Sequence, residues 1–190
     1  MATMTLKSTE TSLPGVLLME PMAFPDDRGY FMETYHMGKY TEAGLDRPFV
    51  QDNLSHSRRF TLRGLHYQLN HPQGKLIYVI VGEIFDIAVD IRRGSPTFGQ
   101  WTGIHLSAEN RHQLYVPEGF AHGFCVLSEI ADVMYKCTDL YAPGDEYGIL
   151  WSDPTLAISW PVEDPILSDK DAANPALKDV PESHLPEYGK

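Results

Sequence analysis

Three stretches carry functional groups more densely than a fold requires: DDRGYFMETYH (26–36), QDNLSHSRRFTLRGLHYQ (51–68) and VPEGFAHGF (116–124). The sharpest question sits at His66, within RGLHYQ. An imidazole titrates near neutral pH, so it can ligate a metal, abstract a proton, or simply be a hydrogen-bonded buried side chain. If 63–68 is a strand, alternation puts His66 on one face with Gly64 and Gln68, and Arg63 on the other. Arg63 joins His66 only if Gly64 forms a bulge that re-aims it, which parity by itself leaves open. Taken singly, other titratable residues read blandly. Lys75 follows HPQG at a strand start, Asp171 lies in a polar tail, and Tyr135 and Tyr141 share a strand face with Cys137 and Asp139.

The metal reading needs more ligands. Pro117, Gly119 and His122 form P-x-G-x-x-H, which resembles the second motif of cupin barrels, but the H-x-H of the first motif reads His66-Tyr67-Gln68 here. An open transition-metal site normally takes three or more His or carboxylate ligands, and glutamine is a poor replacement. His71 lies beyond the strand and is expected to face solvent. No metal site is expected.

The elements that must position these groups are mostly strands. Sustained 3.6-residue periodicity is scarce, and short β-rich runs alternate with Gly, Pro, Asn and Asp, the pattern of an all-β jelly roll. In KLIYVIVGEIFDIAVDI (75–91) Gly82-Glu83 suggests a hairpin; Phe85, Ile87, Val89 and Ile91 share a core face, and Asp86 and Asp90 a polar one. Further strands are expected at 100–107, 112–117, 123–128, 132–141 and 148–151, a short helix over 36–44 ending at Gly44, and a helical turn near SDKDAA in a loop-rich tail.

With 190 residues, 43% of them hydrophobic, the chain is expected to fold as one domain. Twenty-six acidic against fifteen basic residues give a net charge of -11, which argues against a nucleic-acid partner. No apolar run approaches a membrane span and no signal peptide is evident, so a cytoplasmic protein without membrane contact is expected. Cys125 and Cys137 have neither disulfide-framework nor zinc spacing.

Together, DDRGYFMETY, VQDNLSHS, LRGLHYQ, PQGKLIYVIVGEIFDIAVDIR, SPTFGQW, LSAEN, VPEGFAHGF, YKCTDLYAPGDEYGILWSDP and LSDKD resemble the dTDP-4-dehydrorhamnose 3,5-epimerase family, from about Val16 to Asp171. The resemblance implies a cupin-type double-stranded β-helix with short peripheral helices over 1–190, a core at about 16–171 and a tail at 172–190. It implies a homodimer without metal or cofactor. The implied reaction converts dTDP-4-dehydro-6-deoxy-D-glucose to dTDP-4-dehydro-L-rhamnose, in dTDP-L-rhamnose biosynthesis, by deprotonation and reprotonation at C3 and C5 beside the C4 ketone.

On this resemblance His66 is the general base, Asp171 its partner, Tyr135 the acid on the opposite sugar face and Lys75 the cation for the enolate. It places Arg28, Phe31, Glu33, Gln51, Asn53, Arg63, His122, Tyr141, Glu146 and Lys170 around the nucleotide sugar. Arg28 and Arg63 suit the diphosphate, a role that implies a bulge or kink at Gly64 turning Arg63 and His66 toward one cavity, and Phe31 and Tyr141 suit base stacking. Some N-terminal ligands in the family reach across the dimer, which makes Arg28 and Glu33 candidates for the neighbouring subunit's site. Asp86 is expected to face the barrel interior near His122. The competing readings are a single-centre epimerase of a dTDP-4-keto-6-deoxy sugar in antibiotic-sugar synthesis, a metal-dependent cupin oxygenase and a non-catalytic sugar-nucleotide binder.

Overall fold

The computed structural model describes residues 6–189; Met1–Thr5 and Lys190 of the expected 1–190 domain lie outside the described residues. The chain runs β1 (Lys7–Glu10), β2 (Leu17–Glu20), β3 (Ala23–Asp26), β4 (Gly29–Met32), α1 (Met37–Glu42), β5 (Gln51–Arg58), β6 (Leu62–Gln68), β7 (Lys75–Val81) and β8 (Glu83–Asp90). It continues through β9 (Trp101–Ser107), β10 (Gln113–Val116), β11 (Phe120–Val126), β12 (Ile130–Cys137), β13 (Glu146–Gly148) and α2 (Asp169–Ala172). One sheet has the order β1-β2-β10-β7-β12-β5, the other β13-β6-β11-β8-β9, and β3 pairs only with β4. Two facing antiparallel sheets crossed by successive strands make the jelly roll expected from the turn-punctuated β pattern.

Strand alternation sorts the core. Ile77, Val79, Ile84, Ala88, Leu114, Phe120, Phe124 and Val133 meet between the sheets. A second cluster lies outside the five-stranded sheet, where Leu65, Ile87, Val89 and Ile91 pack under Leu156 and under Leu177, Val180 and Leu185 of the tail. A third forms where α1 and its flanks bring Tyr40 and Leu45 onto Met19, Leu76 and Tyr115. The helix begins at His36, whose ring nitrogen accepts from the Lys39 amide, and Gly44 follows it at φ +104°.

Two local expectations are corrected and one is refined. Gly82-Glu83 does not close a hairpin: β7 pairs with β10 and β12, whereas β8 pairs with β9 and β11. Gly82, at φ +82°, instead turns the chain from one sheet to the other. On β8 the apolar face is core as expected, buried beneath the tail on the outside of the sheet, and Asp86, as expected, points into the barrel with Asp90, both fully buried. The strand expected over 132–141 ends at Cys137, so Tyr141 arrives on a loop. Among the described residues no helix is long and apolar enough to cross a membrane.

Candidate active site

The local geometry at Gly64 decides which groups can meet. On β11, His122 pairs with His66 and Phe124 with Arg63, so between these pairs the single Gly123 faces two residues of β6, Gly64 and Leu65. His122 and Phe124 share a face, and the extra residue of β6 therefore brings Arg63 and His66 to one face as well. Gly64 sits at φ +128°, and the Gly64–Leu65 peptide is cis. A Cβ at Gly64 would stand 2.5 Å from the Gly123 Cα and 2.8 Å from the His122 carbonyl oxygen, so only glycine fits.

His66 and Asp171, 105 residues apart, meet at 2.5 Å between Nε2 and Oδ1. Asp171 is delivered by α2, where the Ser168 side chain caps the helix by accepting from the Asp171 amide at 3.1 Å. The pattern Ser168-x-x-Asp171 was a legible helix-start signal. The strap carrying α2 is tied to the start of β6 by Leu62 N–H donating to the Ile166 carbonyl and by Ile166 N–H donating to that of Phe60. Burial would raise the Asp171 carboxyl. The hydrogen bond and charge of His66, aided by Ser168 and the Gly64 amide, outweigh that and hold it below the usual carboxylate range. An ionised Asp171 accepts a hydrogen bond from the Nε2–H of His66, which leaves Nδ1 as the nitrogen with a free lone pair.

Two adjoining cavities of about 160 and 270 Å³ share His66, Lys75, Tyr135 and Glu146 in their walls. The smaller adds Gln51, Asn53, Gln68 and Tyr141; the larger adds Arg63, His122, Lys170 and Asp171. His66 comes from the five-stranded sheet, while Lys75 and Tyr135 come from the six-stranded sheet. Burial pushes the Lys75 ammonium below the usual lysine range, against the opposing pull of Cys137, Glu146 and Asp86. Burial likewise raises the Tyr135 hydroxyl, reinforced by Cys137 and Glu146 and opposed by Arg63.

The remaining predicted positions divide. His122 Nε2 lies 2.9 Å from Asp86 Oδ1, a fully buried pair inside the barrel. Arg63 Nε donates to the Ser57 hydroxyl at 3.1 Å, and the Tyr141 amide donates to Gln51 Oε1 at 2.8 Å. Gln51 in turn donates to Asn53, and Lys170 pairs with Glu146 across the cavity mouth. Arg28, Phe31 and Glu33 line neither cavity of their own chain. Arg28 and Phe31 lie exposed on the β3–β4 hairpin, Arg28 paired with Asp26, and Glu33 is paired with Lys39. The sequence reading missed Ser55, Phe124 and Ser168 as lining residues. Period-2 alternation with Asn53 and His122 could have found the first two. Among the described residues no group of three or more His, Cys, Asp or Glu side chains is placed to hold a metal ion.

Fold and cavity together define a cupin-type jelly-roll protein with titratable groups from both sheets facing one another inside the barrel. A family model described as dTDP-4-dehydrorhamnose 3,5-epimerase matches residues 10–179, and the chain belongs to that family of isomerases. A protein of that name from Pseudomonas aeruginosa is 54% identical over 177 residues, covering 92% of this chain and 98% of its own. One from Neisseria gonorrhoeae is also 54% identical over 177 residues, covering 93% of this chain, which spans about half (54%) of that relative's length. The crystal structure of dTDP-6-deoxy-D-glucose-3,5-epimerase from Legionella pneumophila Philadelphia 1, in complex with dTDP-4-keto-L-rhamnose, superposes with a TM-score of 0.95 at 49% identity. It covers 97% of this chain and 100% of that one.

Proposed function

We propose that this chain is a dTDP-4-dehydrorhamnose 3,5-epimerase, folded as one jelly-roll domain, that inverts C3 and C5 of dTDP-4-dehydro-6-deoxy-D-glucose. The observation that carries the reading is the convergence of a His66–Asp171 pair with Lys75 and Tyr135 from the facing sheet on one cavity. Protons on carbons beside a ketone are weakly acidic, and their removal gives an enolate. His66 Nδ1 takes the proton, and Asp171 stabilises the imidazolium that results. The half-buried Lys75 ammonium lines the cavity, where as a fixed cation it stabilises the developing enolate oxygen. Tyr135 returns a proton from the opposite side, which inverts the centre. Each inversion leaves one proton on His66 and removes one from Tyr135, so exchange with water resets both before the second centre reacts.

Binding a diphosphate against a net charge of -11 requires local cations. Arg63 and Lys170 supply them within the chain. Arg28, Phe31 and Glu33, outside their own cavity, fit the homodimer reading, in which they serve a neighbouring subunit. The same reading is supported by the outer face of the six-stranded sheet, where Leu54 and Ile80 are exposed beside Tyr78 and Met134. A cytoplasmic location accords with a nucleotide-sugar substrate.

The test is NMR of the product formed in D2O. Wild type is expected to place deuterium at both C3 and C5, and His66→Ala to exchange them about 10²- to 10⁴-fold more slowly. Incorporation at a single carbon would make the protein a single-centre epimerase, and undiminished exchange by His66→Ala would remove it as the base.

A further inference from the structure

Gln68 stands where a metal-binding cupin has the second histidine of its H-x-H, and it borders the smaller cavity. Its amide nevertheless makes its hydrogen bonds to backbone. Nε2 donates to the carbonyls of His71 at 2.7 Å and Leu140 at 3.2 Å, and Oε1 accepts from the Ala142 amide at 3.0 Å. The orientation is fixed by its partners, since the nitrogen faces two carbonyls and the oxygen an N–H. Leu140 and Ala142 flank Tyr141, so one side chain brackets that residue as a neighbouring strand would. Packing alone does not hold this stretch, since β12 has ended at Cys137, β13 begins only at Glu146, and Leu140 and Tyr141 are 59% and 51% exposed; Gln68 ties it on both sides of Tyr141, beside the bond that the Tyr141 amide itself makes to Gln51 Oε1.

We propose that Gln68 is a positioning residue that fixes Tyr141 at the cavity for nucleotide binding; this rests on the reading of Tyr141 as the surface on which the substrate's base stacks. The third bond, to His71, ties the same bracket to the loop that leads into Lys75. Gln68 therefore acts through Tyr141 on affinity, while His66, two residues away on the same strand, is held independently by Asp171.

The experiment compares wild type, Gln68→Met, Tyr141→Ala and the double variant, measuring KM and kcat for the sugar nucleotide and Kd for dTDP. Gln68→Met is expected to raise KM and Kd about tenfold or more and leave kcat within about threefold, because misplacement by an ångström is enough for such losses. In the Tyr141→Ala background the same change is expected to add nothing. Additive losses, or a fall in melting temperature with KM unchanged, would overturn the proposal. Weak dTDP binding by Tyr141→Ala with unaltered binding by Gln68→Met would overturn it alone, whereas unaltered binding by Tyr141→Ala would overturn the stacking reading with it. Should Gln68→Met not fold, Gln68→Glu keeps the acceptor for Ala142 but sets an oxygen against two carbonyls. Its affinity for dTDP is then expected to recover on acidification, as the carboxyl gains a proton to donate, and pH-independent affinity would count against the bracket.

Discussion

Lys75 illustrates how a site residue acts against the stability of the fold that holds it. Among the described residues its ammonium has no hydrogen-bond or ion-pair acceptor, and burial is the largest influence on it, pushing it below the usual lysine range. A partly desolvated cation with no acceptor in hydrogen-bond reach costs the folded state, only partly offset by the more distant Glu146 and Asp86, and on the proposed chemistry its close partner is the enolate oxygen, present only during reaction. Lys75→Met is therefore expected to raise the melting temperature at pH 7 while lowering kcat by about 10²-fold or more. Because the folded value lies below that of an unfolded lysine at about 10.4, the penalty in wild type is full at neutral pH and relieved as pH rises toward it. The stability gain of Lys75→Met should accordingly shrink in alkali. Thermal melts across pH, paired with steady-state rates, check both parts; a loss of stability at pH 7 would contradict them.

At the scale of an element, strand β6 works because it is irregular. A regular strand would put Arg63 and His66 on opposite faces, and the bulge at Gly64 brings them to one cavity. Gly64→Ala places a methyl group against the backbone of Gly123 and His122 at a φ that side chains avoid. The expected cost is about 3 kcal/mol or more, read as a lower denaturation midpoint, with activity lost even where the protein remains folded. An alanine variant with full activity and unchanged midpoint would show that the bulge does not set the site. In RGLHYQ alone the bulge was only a condition; it became an expectation once the resemblance gave Arg63 a role beside His66, with Gly64 between them the residue able to form it. The switch of β7 and β8 into different sheets was not legible, because Gly82-Glu83 suits a hairpin and a crossover equally well, and only the partners β10, β12, β9 and β11 decide between them.

For the molecule as a whole, the tail is the second wall of the structure. It buries the outer face of the five-stranded sheet and delivers Asp171 to His66, so folding of the tail and assembly of the site are coupled. Three buried carboxylates fix the chain: Asp171 and Asp145 join segments far apart in sequence, Asp145 through the Asn70 and His71 amides, and Asp90 holds the turn after β8 through Arg92, Ser95 and Thr97. Burial would raise each, but these hydrogen bonds outweigh it and lower all three. With folded values below the unfolded one of about 3.9, their stabilisation is complete at neutral pH and is lost as pH falls from about 4 through the folded values. Denaturation midpoints should be flat from pH 7 to 5 and fall steeply below 4, less steeply in Asp90→Asn; equal acid slopes would assign the loss elsewhere. On the dimer reading, Leu54→Arg on the uncovered sheet face is expected to shift sedimentation to a monomer, and an unchanged dimer would move the interface elsewhere.

Local chemistry made the β-rich architecture, the short helix before Gly44, the broken H-x-H and the base candidate readable from residue types alone, because alternation, capping and ligand counting involve only near neighbours. Residues that looked bland singly could not be promoted by such rules. Asp171 reads as a surface carboxylate until a strap 105 residues downstream lays it on His66, and Lys75 reads as a solvated strand end until the facing sheet buries it. Likewise the apolar side of β8 was plain in the sequence, but which side became the barrel interior depended on the tail covering the other. Periodicity says that a face is buried; only the packing of distant segments says what buries it, and so which polar groups are left facing one another inside.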